Sequence, residues 1–96
     1  MTNAVATILV SAFCHCSACC GKADGITASG RHVRANWTVA YNGLPLGTKI
    51  NIVGLGVRAV EDRTAKRFSN RIDIYMPSHR AAKRWGVRKM RVEVIR

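Results

Sequence analysis

The chain has few acids. Asp24, Glu61, Asp62, Asp73 and Glu93 are the full set among 96 residues, against sixteen Lys and Arg, for a formal net charge of +11. Any carboxylate chemistry must use some of these five. Proline is scarce, with two, and there is no low-complexity stretch or internal repeat, which excludes a disordered or repeat chain. No apolar run approaches the roughly 18 residues of a membrane-spanning helix, which excludes insertion by that route. Aromatic residues make up 6% of the chain, too few for the stacking platform of a single-strand nucleic-acid binder.

What remains is the composition of one globular domain over residues 1–96, with 48% hydrophobic residues. The positive charge calls for an anionic partner, and nucleic acid, an acidic membrane surface and a bacterial cell wall all qualify. The start, Met1 to Phe13, is apolar enough to raise the question of a signal peptide. It has no Lys or Arg ahead of its apolar part and no small-residue cleavage site. Alternation of Val5, Thr7, Leu9, Ser11 and Phe13 with Ala4, Ala6, Ile8, Val10 and Ala12 predicts a first β-strand, Asn3–Phe13, instead. On that reading the chain reaches its place of action as a mature fragment or without the usual signal.

Short strands separated by turns account for most of the rest. Trp37–Tyr41, Lys49–Val53, Val57–Glu61 and Lys89–Ile95 read as strands, with turns at Asn42-Gly43 and Gly54-Leu55-Gly56. Arg71–Met76 sets Ile72, Ile74 and Met76 on one face and Arg71, Asp73 and Tyr75 on the other. One helix is predicted over His79–Trp85, started by Ser78 as N-cap and stopped by Gly86. Cys14–Gly30 and the basic stretch Arg63–Asn70 read as loops. Several short strands and one or two short helices give an all-β barrel.

Four blocks stand in a telling order: Thr27-Ala28-Ser29-Gly30, Leu44-Pro45-Leu46-Gly47-Thr48, Glu61-Asp62 through Asn70-Arg71-Ile72-Asp73-Ile74-Tyr75, and Ser78-His79 … Ala82 … Gly86. Together they resemble the three-aspartate (3D) domain family, related to the catalytic barrel of membrane-bound lytic transglycosylase A and to stationary-phase muralytic enzymes. The resemblance implies a six-stranded double-psi β-barrel acting at the bacterial cell wall on peptidoglycan glycan strands. It implies cleavage without water: an Asp protonates the glycosidic oxygen and the C6 hydroxyl of N-acetylmuramic acid closes on C1. Asp73 matches that acid and Asp62 matches the family's second Asp. Thr27 and Ser29 resemble its groove-lining hydroxyls. Near the place of the family's first Asp the nearest polar residue is Asn42, and the glycine pair that follows the second Asp is replaced by Thr64 and Ala65.

A general acid at neutral pH needs a raised pKa, from burial or from a second carboxylate close by. Asp62 ends one strand and Asp73 lies within another, so the loop between them can set the two side by side. Arg63, Lys66, Arg67 and Arg71 would oppose this by stabilising the ionised form. Two readings stand: Asp73 as acid, with Asp62 as partner, or Asp73 as half of a salt bridge. Asn70, Arg71 and Tyr75 flank Asp73 as candidate substrate-binding residues. Trp37 and Trp85 are candidates for sugar stacking, Trp85 more suited to packing the helix. His79 falls in the first helical turn without an inferred catalytic role; it or His32 could supply a distant ligand if the cysteine cluster Cys14–Cys20 holds zinc.

Cys14, Cys16, Cys19 and Cys20, with His15 among them, permit a structural zinc site, disulfides or free thiols. None of these is required for the catalysis implied above. Arg80, Lys83, Arg84, Arg88, Lys89 and Arg91 form a basic stripe, but no groove-reading helix accompanies it, and nucleic acid ranks last among the partners. The leading expectation is a peptidoglycan-cleaving domain; the alternative is a non-catalytic module of the same fold that binds wall glycan or a partner.

Overall fold

A computed structural model describes residues 5–14 and 26–95. Six strands close into a barrel: β1 (Val5–Phe13), β2 (Thr38–Ala40), β3 (Lys49–Ile52), β4 (Gly56–Asp62), β5 (Arg71–Tyr75) and β6 (Arg88–Ile95). One α-helix, α1 (His79–Trp85), joins β5 to β6, and a 3₁₀ turn (Lys66–Phe68) lies in the stretch expected to be loop. The predicted strands and helix are present within one residue of their expected ends, except that Asn3 and Ala4 of the first strand lie outside the described residues, as do residues 15–25 of the expected loop Cys14–Gly30.

Period-two patterning fills the interior. Val10, Val39, Ile50, Ile52, Val60, Ile72, Ile74 and Val92 form the core, with at least one residue from every strand. All eight are β-branched, the side chains that pack best on a pleated surface and lose least rotamer freedom there. A six-stranded barrel is narrow enough for such side chains to fill it.

Strand order around the barrel is β1-β5-β2-β4-β3-β6. Pairs β1·β5 and β2·β4 are parallel and the other four are antiparallel. Moving every strand three places along the chain maps this pairing list onto itself, so the barrel is two interlocked three-strand halves. Only β3 and β4 are both consecutive and paired. Their tight turn places Gly54 and Gly56 at φ of 99° and 102°, a region L side chains rarely enter.

The helix has the expected ends. Ser78 Oγ accepts the Ala81 N–H at 3.2 Å, and Gly86 terminates it with φ 70°. It is fixed on β1 by Ala82, which is buried, and by Trp85, whose indole N–H donates to the Val10 carbonyl at 3.0 Å. Trp85 is thus a packing residue.

Candidate functional site

Outside the barrel, four side chains make one row. Ser11 on β1 is in register with Asp73 on β5, Asp73 with Ala40 on β2, and Ala40 with Asp62 on β4. Residues in register share a sheet face, so the row runs Ser11, Asp73, Ala40, Asp62. Asp62 reaches this face through a β-bulge. Val39 pairs with Val60 but Ala40 pairs with Asp62, leaving Glu61 as the extra residue. Simple alternation from the inward-facing Val60 would turn Asp62 into the core; the bulge turns it out.

The expectation that the two aspartates lie side by side needs correcting. β2 runs between them, so their backbones are about 9–10 Å apart, two strand spacings. Each has its own partners. Asp73 Oδ1 accepts the Ser11 hydroxyl at 3.0 Å. Asp62 Oδ1 accepts the Ala28 and Arg63 N–H groups, each at 2.9 Å. The Asp62 carboxylate thereby docks the Thr27–Gly30 turn, and the Ser29 N–H adds a bond to the Glu61 carbonyl at 3.0 Å.

Burial holds the Asp73 carboxyl above its ordinary pKa. The Ser11 hydroxyl and the Arg71 charge oppose that rise, and the Asp62 charge adds to it as the least of these influences. The weak influence of Asp62 agrees with the intervening strand.

The cations that might have neutralised Asp73 are mostly engaged elsewhere. Arg63 donates to the Tyr41 and Leu44 carbonyls, the latter at 2.7 Å. Arg67 and Arg71 lie over the Phe68 ring, 4.9 and 4.6 Å from its centre. Among the described residues no cation forms an ion pair with Asp73. Arg71 Nε is the one buried side-chain polar atom without a hydrogen-bond partner among them, two residues along β5 from Asp73.

The remaining candidates separate. Tyr75 shares the outer face with Arg71 and Asp73, as alternation predicts, and its ring packs on Phe13 with centroids 5.7 Å apart. Asn70 is exposed at the end of its loop. Thr27 is buried and its hydroxyl donates to the Arg31 carbonyl at 2.9 Å. Its 2.8 Å contact with Ser29 Oγ then requires Ser29 to donate. Thr27 therefore builds the turn, while Ser29 stays exposed. Asn42 pins the basic loop: its amide donates to the Thr64 carbonyl and Ser69 Oγ and accepts the Thr64 N–H, all within 3.1 Å.

Of the cysteine cluster, Cys16, Cys19 and Cys20 lie outside the described residues. Cys14 is buried, with its Sγ 3.3 Å from His79 Nδ1. Among the described residues no three His, Cys, Asp or Glu side chains are grouped to hold a metal. None of their helices is long and apolar enough to cross a membrane.

Sequence reasoning missed a network beside the row. Glu61, 5% exposed, accepts from Thr38 Oγ1 at 2.7 Å and pairs with Arg34 at 3.1 Å. Arg34 also lies 5.5 Å from the centre of the Trp37 ring. The Glu61-Asp62 dipeptide was the only signal available, and the bulge that separates the roles of its two members leaves no mark in the sequence.

Fold and site define a closed six-stranded barrel that carries two separated carboxylates on one outer face. The chain is similar to two proteins of Bacillus subtilis strain 168. With the cell wall shaping protein named YabE it shares 28% identity over 99 residues, covering 98% of this chain and 24% of that protein. With the cell wall-binding protein YocH it shares 32% over 80 residues, covering 78% of this chain and 28% of that protein. The chain thus spans about a quarter of the length of these curated relatives. No protein-family model matches it.

Proposed function

We propose that this barrel acts at the bacterial cell wall, or outside the cell, as a peptidoglycan lytic transglycosylase with Asp73 as its acid. The observation that carries the reading is the state of Asp73: a half-buried carboxyl with a raised pKa, bonded only by Ser11 and free of any ion pair among the described residues. The names of its two relatives, both concerned with the cell wall, supply the setting.

The chemistry follows from which oxygen is occupied. Ser11 donates to Oδ1, leaving Oδ2 to carry the proton. Oδ2–H protonates the glycosidic oxygen as its bond to C1 breaks. The C6 hydroxyl of N-acetylmuramic acid attacks C1, and its proton returns to Asp73, so the acid is restored and no water is consumed. Asp62 holds the Thr27–Gly30 turn as the groove wall and stabilises positive charge at C1 only from a distance. Ser29, Asn70, Arg71 and Tyr75 offer polar groups along the same side.

Digestion of purified peptidoglycan should release anhydro-muropeptides, read by mass spectrometry. Asp73→Asn should lower that release by about 10²–10⁴-fold, the usual worth of a positioned acid. Reducing-end products without the anhydro ring would identify hydrolysis instead. A second reading has its own support, since one relative is named as a cell wall-binding protein. Wild-type protein that sediments with wall material but releases nothing would establish a binding module.

A further inference from the structure

A cavity of about 290 Å³ opens beside the Asp62 end of the row, lined by Ser29, Arg31, Arg34, Trp37, Lys49 and Glu61 among others. It sits on the outer face of β3 and β4, where Lys49 is in register with Ala59. The two sites share a wall: the turn whose Ala28 N–H binds Asp62 also contributes Ser29 to the cavity.

The charges in this cavity are unequally matched. Glu61 at its base is already satisfied by Arg34 and Thr38. Arg34 is in turn held by Glu61 and lies against Trp37. Arg31 and Lys49 are exposed, and neither has an ion-pair partner among the described residues. What the cavity lacks is therefore an anion to meet Arg31 and Lys49, carried on a body with a flat or apolar side to lie along the half-buried Trp37. Guanidinium and ammonium groups recognise a planar carboxylate by charge-assisted hydrogen bonds, and the space suits a fragment of one or two amino acids.

We infer that this cavity is a subsite for the carboxylate of a short acidic peptide, of the kind that wall peptides present where they leave the muramic acid ring. The inference rests on the cell-wall reading above and extends it from the glycan to the attached peptide. A glycan lying along the Ser11–Asp62 row would pass the Thr27–Gly30 turn, and a peptide branching from it would reach Arg31 and Lys49.

Titration calorimetry with two soluble probes tests this. One is N-acetylmuramoyl-L-alanyl-D-glutamic acid with both carboxylates free; the other is the same compound with both amidated. The free acid should bind the wild-type protein at least about tenfold more tightly than the amide, the scale of one or two charge-assisted contacts in a partly enclosed site. Arg31→Ala combined with Lys49→Ala should remove that preference. Equal affinity for acid and amide overturns the inference, whether or not the variant folds. Glycan strands stripped of peptide provide the separating arm. Their retention with no preference for the acid leaves the wall reading standing and refutes the subsite; failure to bind glycan and both probes refutes the two together.

Discussion

At the scale of single residues, Asp73 links the site to stability with a definite sign. Its pKa is raised in the folded chain, first by burial, so the folded state holds this proton more tightly than the unfolded state does. Between the unfolded carboxylate value of about 3.9 and the raised folded value, the folded chain binds more protons and stability falls as pH rises. Above that window the loss is complete and constant. Asp73→Asn keeps an oxygen to accept the Ser11 hydroxyl but removes the buried charge. Its melting temperature should therefore exceed that of the wild type near pH 7, and the gain should shrink toward zero near pH 3, checked by thermal melts at both. A variant no more stable at neutral pH would mean that Asp73 is a favourably paired carboxylate, which would also undercut its role as acid. The sequence placed Asp73 on the outer face by alternation alone. It could not identify Ser11 as its partner, because a parallel pairing between residues 62 apart in the chain is a property of the closed barrel.

At the scale of elements, the site depends on how loops are fastened to strand ends. Asn42 uses both amide hydrogens and its oxygen to hold the Arg63–Asn70 loop. An aspartate of the same shape keeps the acceptor and loses both donors. Asn42→Asp should then destabilise the fold by about 1–3 kcal/mol, the cost of leaving part-buried partners unmet, measured by urea unfolding at neutral pH. This gives a physical reason for an amide here: the loop that follows Asp62 has no glycines to shape it, so Asn42 fastens it from outside and its first residue, Arg63, is tied to the Leu44 carbonyl. The strands and α1 were legible because alternation, a Ser N-cap and a Gly stop are local signals. The bulge at Glu61 was not legible. Val57–Glu61 reads as an uninterrupted strand, and only pairing with β2 shows that Glu61 is the extra residue. That one residue puts Asp62 on the outer face and Glu61 at the base of the cavity, so both sites hang on it.

At the scale of the whole molecule, charge and topology together set how the barrel would approach a wall. Only one pair of consecutive strands is adjacent, so the interlocked order could be expected from the family resemblance but not from local pattern. That order places β6 directly across the barrel from β2. The carboxylate row is centred on Ala40 of β2. On the far side, β6 exposes Arg88, Lys89 and Arg91, while α1, which packs on β1, exposes Arg80, Lys83 and Arg84. Asp62 and Asp73 thus lie away from the β6 cations, although the net charge of +11 would not by itself require it. An anionic wall polymer would engage the β6 side through long-range attraction and leave the groove free for a neutral glycan held by hydrogen bonds. The two contacts should respond differently to salt, since screening shortens from about 10 Å at 0.1 M to about 3 Å at 1 M. Retention on whole wall material should fall steeply between about 0.05 and 0.5 M NaCl, measured by sedimentation. Binding of soluble, peptide-free glycan fragments should change little over the same range. Equal salt sensitivity of both would mean that the groove itself is read through charge, and the separation of a basic docking side from a glycan-binding side would have to be abandoned.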